Sequence, residues 1–76
     1  MARPQTGSSE RLAGDALRLA RTKSRLTQAQ LAERAGVAQS LISAYENGRR
    51  QPTVPTLDRL IDAAGYELRT WLTKKR

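Results

Sequence analysis

Seventy-six residues without a cysteine or a histidine allow one small domain. They exclude a disulfide framework, a thiolate or imidazole metal site and the commonest catalytic bases, so no enzyme, cofactor or metal is expected. Fourteen basic against 7 acidic side chains give a net charge of +7, which points to a polyanionic partner, and Arg outnumbers Lys 11 to 3.

Residues 1–8 carry Arg3, Pro4, Gly7 and Ser8 without periodicity and read as a flexible N-terminal arm. No apolar core stands behind the N-terminus and no run reaches the ~18–20 apolar residues of a membrane span, so a cytoplasmic protein is expected. Ser9, or Asp15 after Gly14, offers a helix start. Leu12, Ala16, Leu17 and Ala20 recur at helical spacing to a helix end near Lys23. Gly14 inside that helix costs ~1 kcal/mol relative to alanine and would loosen its first turn.

Thr27-Gln28-Ala29-Gln30 is a capping box, with threonine at the cap and glutamine three residues on. The helix it opens carries Leu31, Ala32 and Ala35 inward and ends at Gly36. After Val37, the stretch Gln39 to Asn47 predicts another helix, with Leu41, Ile42 and Tyr45 inward. Gln39, Ser40, Ser43, Ala44 and Asn47 fall on its outer side. Gly48-Arg49-Arg50-Gln51-Pro52 is a basic loop, and Thr53 caps a fourth helix with Leu57, Leu60, Ile61 and Ala64 before Gly65. The period then changes to two: Tyr66, Leu68, Thr70 and Leu72 alternate with Glu67, Arg69, Trp71 and Thr73. A strand over 66–72 fits this row, and a short helix is the competing reading. A lone strand needs a partner, and a second copy paired antiparallel would supply one. Lys74-Lys75-Arg76 forms a basic tail.

The four residues Ala35-Gly36-Val37-Ala38 leave no room for an antiparallel hairpin of long helices, so the two helices must cross steeply. At this point the sequence resembles the Cro-repressor/Xre family of helix-turn-helix proteins, with its lambda-repressor-like domain. The matching words are Leu26-Thr27-Gln28-Ala29-Gln30-Leu31-Ala32, Ala35-Gly36-Val37, Ile42-Ser43-Ala44-Tyr45-Glu46-Asn47-Gly48-Arg49-Arg50-Gln51-Pro52, and Thr56-Leu57 to Ala64-Gly65. The resemblance implies an all-α bundle of four to five helices with Gln39 to Asn47 in the major groove of double-stranded DNA, the docking that is general for this class. It puts Gln39, Ser40, Ser43 and Ala44 against bases, and Gln28, Arg49, Arg50 and Asn47 against phosphates. Gln28 would also brace Gln39, and Arg21 and Glu46 would form a structural ion pair. Arg25 stands where many relatives have glycine, and a left-handed backbone there would be strained.

The sequence is thus read as a DNA-binding domain over 9–65 followed by a dimerisation segment over 66–73, its row being Tyr66, Leu68, Thr70 and Leu72. The expected function is a prokaryotic or phage transcriptional repressor that occupies a palindromic operator as a homodimer. An autorepressing antitoxin with a toxin partner is the alternative within the class. A protein-interaction or coactivator module on the same fold is the rival outside it. A cationic membrane binder is disfavoured, because the basic residues are spread around glycine-ended helices.

Overall fold

The computed structural model describes residues 5–69 and contains four helices in that range: α1 (Gln5–Lys23), α2 (Gln28–Ala35), α3 (Gln39–Glu46) and α4 (Val54–Ala63). Helix α1 packs on α3 and α4, and α2 packs on the same two. Leu17, Leu31, Ile42 and Leu60, one from each helix, are fully buried at the centre. Ala20, Ala32, Tyr45, Leu57, Ile61 and Ala64 complete the core.

The helix starts follow from local chemistry. Thr27 accepts the Gln30 amide at 3.0 Å, and the Gln30 side chain returns a bond to the Thr27 N–H at 2.8 Å. Thr53 accepts the Thr56 amide at 3.2 Å, and Pro55 sits in the first turn, where its missing donor is harmless. Ala38 has no side-chain cap to offer, so α3 begins without one.

All four helices stop in the same way. The amide of the residue after the left-handed position bonds five residues back: Leu26 to Arg21, Val37 to Ala32, Arg49 to Ala44 and Tyr66 to Ile61. Glycine fills the left-handed position at Gly36, Gly48 and Gly65, whereas the first stop uses Arg25, at φ +60°. A side chain there costs ~1–2 kcal/mol, partly offset because glycine loses more entropy on folding. Arg25→Gly should therefore raise stability by about 0.5–1 kcal/mol, read as a higher midpoint in urea at unchanged slope.

Three sequence expectations about α1 need correction. Helix α1 reaches back to Gln5, so residues 5–8 of the expected arm are helical. A proline ring clashes in a helix interior, but nothing from Gln5 onward does, and extension adds one bond per residue. Gly14 neither loosens nor restarts the helix: it is buried against α3, where a Cβ would collide with the Tyr45 carbonyl oxygen. Leu12 lies outside the core stripe, which instead runs through Ala13, Leu17 and Ala20.

Residues 66–69 have no regular secondary structure, and the rest of the 66–72 stretch read as a strand or a short helix lies outside the described residues. Tyr66 and Leu68 pack against the core of their own chain, while Glu67 and Arg69 are exposed. Thr70, Leu72 and the basic tail lie outside the described residues.

Candidate nucleic-acid interface

Gly36, Val37 and Ala38 alone separate α2 from α3. Val37 turns inward onto the core, and Ile42 is wholly buried behind it. The opposite side of α3 is thereby left outside. Gln39 and Ser40 are exposed, and Ser43 and Ala44, a turn further on, are half-buried. This face carries no charge, because the only charged residue of α3 is Glu46 and that residue is buried.

Glu46 is the junction of three helices. Its side chain is 1% exposed, and Arg21 of α1 grips it with Nε at 2.7 Å from Oε2 and Nη2 at 2.9 Å from Oε1. Two parallel charge-assisted bonds of this kind fix direction as well as distance. The third arm of Arg21 donates to the Leu26 carbonyl at 2.9 Å, tying the pair to the turn that leads into α2. Gln28, at the start of α2, donates its amide to Glu46 Oε1 at 3.1 Å. Gln28 was expected to brace Gln39; here its amide nitrogen is engaged by the buried carboxylate. Burial favours the neutral acid, but the Arg21 and Gln28 hydrogen bonds and the charges of Arg21 and Arg18 outweigh it and hold Glu46 below the usual carboxylate range. Its own hydrogen bonds to Glu46, against the cost of burial, and the carboxylate charge raise the Arg21 guanidinium further.

Arg18 joins this cluster with Nε 3.7 Å from Glu46 Oε1, its side chain 55% exposed. Nothing in the sequence reading assigned Arg18 to the Arg21–Glu46 pair. Its position three residues before Arg21, on the same side of α1, was the available signal.

Beyond α3 the chain turns at Asn47, whose Oδ1 accepts the Arg49 amide at 3.1 Å. Arg49 and Arg50 are exposed. At the other three helix stops the residue after the left-handed position is apolar and partly buried (Leu26, Val37, Tyr66); here it is Arg49. From Arg34 to Leu57 the sequence contains one acid, the buried Glu46, so every exposed charge of that stretch is positive. The arrangement is a neutral hydrogen-bonding helix face flanked by cations, which suits a ligand with polar edges between phosphates. No group of side chains able to hold a metal ion occurs among the described residues, and none of their helices is long and apolar enough to cross a membrane.

Residues 17–71 match the helix-turn-helix family model. Comparison with curated proteins and with solved structures gives no match. The chain belongs to the helix-turn-helix family of Cro/Xre type, a family of DNA-binding transcriptional regulators.

Proposed function

We propose that this helix-turn-helix chain reads an operator with the outward face of α3 and represses transcription by occupying that site in the cytoplasm. The observation that carries the reading is the uncharged, hydrogen-bonding face of Gln39, Ser40 and Ser43 beside the exposed Arg49 and Arg50. In a major groove, Gln39 can bond adenine through both its amide atoms, the two serines can donate or accept, and Ala44 can meet a thymine methyl. Arg49, Arg50 and the Asn47 side-chain amide would take phosphates on one flank. Gln28, held to Glu46, would take one at the start of α2.

Eight residues of helix bind weakly alone, so the reading includes a two-fold dimer on a palindrome, with the contact assigned to residues 66–72. Half-sites would then lie one helical turn apart, ~34–36 Å, and the second docking step becomes intramolecular.

The test uses the duplex that the protein selects from a random pool, together with an unrelated duplex. Gln39→Ala should weaken binding to the selected duplex by ~1–3 kcal/mol and leave the unrelated one nearly unchanged. Arg49→Ala should weaken both alike and reduce the slope of log affinity against log salt by ~1. Equal loss on both duplexes for Gln39→Ala would remove the base-reading role, and an unchanged salt slope would leave Arg49 in solvent.

A further inference from the structure

After Tyr66, whose amide still bonds back to Ile61 at 3.1 Å, no backbone group of Glu67, Leu68 or Arg69 has a partner among the described residues. Side chains alternate along this stretch: Tyr66 and Leu68 lie against the core, Glu67 and Arg69 face outward. An alternating segment with free amides and carbonyls is an edge waiting for a strand. The outward pair is charged with opposite signs, 3.4 Å apart and each 74% exposed, so it contributes little within the chain.

We propose that a second copy of the chain pairs antiparallel along this edge in one register, with Leu68 opposite its own copy. The inference rests on the dimer reading above and deepens it by naming what sets the alignment. Residues directly opposite in an antiparallel pair share a face, and their Cβ atoms lie about 4.5–5.5 Å apart. If both bodies are to stay on the side where Tyr66 and Leu68 pack, the two-fold axis must pass through a residue position. Centring on Glu67 opposes two glutamates, and centring on Arg69 opposes two arginines. Only the register centred on Leu68 sets Glu67 of each copy opposite Arg69 of the other, twice by symmetry. Tyr66 and Leu68 of both copies then lie on one face. That side borders a shallow groove of about 560 Å³ walled by Leu19, Ala20, Ile61 and Tyr66, with Leu19 60% exposed.

The full chain is followed by sedimentation over a concentration series. Glu67→Arg and Arg69→Glu should each raise the dimer dissociation constant roughly tenfold or more, since each turns two attractive pairs into two repulsive ones. The double substitution should restore it to within about threefold. Because the chain has no cysteine, a mixture of Glu67→Cys and Arg69→Cys chains should form a mixed disulfide in preference to either homodimer. A wild-type dimer indifferent to the charge reversals, or an Arg69→Cys chain that cross-links best to itself, would overturn the register and leave the dimer reading standing. A chain monomeric at every concentration would overturn both.

Discussion

Arg21→Ala should destabilise the domain by about 3–5 kcal/mol, much of what a chain of this size holds. The substitution strips two hydrogen bonds from a carboxylate that is almost wholly inside the protein and takes the donor from the Leu26 carbonyl. Arg18, already 3.7 Å away, recovers part of the loss. The pH dependence distinguishes this cause from a mere cavity. In the wild type Glu46 ionises below its unfolded range of ~4.3, so its contribution is present above that range and lost as pH falls through the lower, folded value. Without Arg21, burial gains the upper hand and the folded value rises, so the variant's carboxyl is best accommodated in acid. The gap between variant and wild type should therefore shrink from pH 7 to about pH 4 in urea denaturation. A gap that stays constant would mean the lost stability is packing, not charge.

Gly14→Ala is the second large effect, although alanine is the better helix former by ~1 kcal/mol. The added methyl would meet the Tyr45 carbonyl oxygen and come within 3.3 Å of Glu46 Cα, and a backbone cannot swing aside as a side-chain tip can. Either α1 lifts from α3 or both distort, for a net loss of about 2–3 kcal/mol. Lifting α1 also pulls Arg21 from Glu46, so the double variant Gly14→Ala/Arg21→Ala should lose less than the sum of the two. Strict additivity in thermal or urea unfolding would mean that the close approach and the ion pair are independent.

These two positions show where the sequence was readable and where it was not. The capping box at Thr27 and Gln30, the cap at Thr53 and the stops at Gly36, Gly48 and Gly65 are decided within six residues, and local pattern reaches that far. The outer side of α3 was legible for the same reason, as spacing alone separates Gln39 and Ser40 from Ile42 and Tyr45. Gly14 was not, because its cause is a carbonyl 31 residues further along the chain. Nor was the Gln28 bond to Glu46, which exists only once three helices have met. The period of two after Gly65 was visible, but not that Tyr66 and Leu68 spend their apolar side on their own core. What remains for a second copy is the backbone edge and the charged row.

The shared design of the four helix stops has a consequence for how fast the molecule forms. Each stop closes over five residues, and α2, α3 and α4 span only 8, 8 and 10 residues, so most of the backbone geometry is settled by near neighbours. The costly steps are those that join distant parts, chiefly the docking of α1 on α4, where the Ser24 hydroxyl donates to the Ala64 carbonyl 40 residues along the chain. Helical domains with contacts this local fold in microseconds to milliseconds. In a regulator of modest stability, a molecule that opens on or off its site is whole again long before a round of transcription has passed.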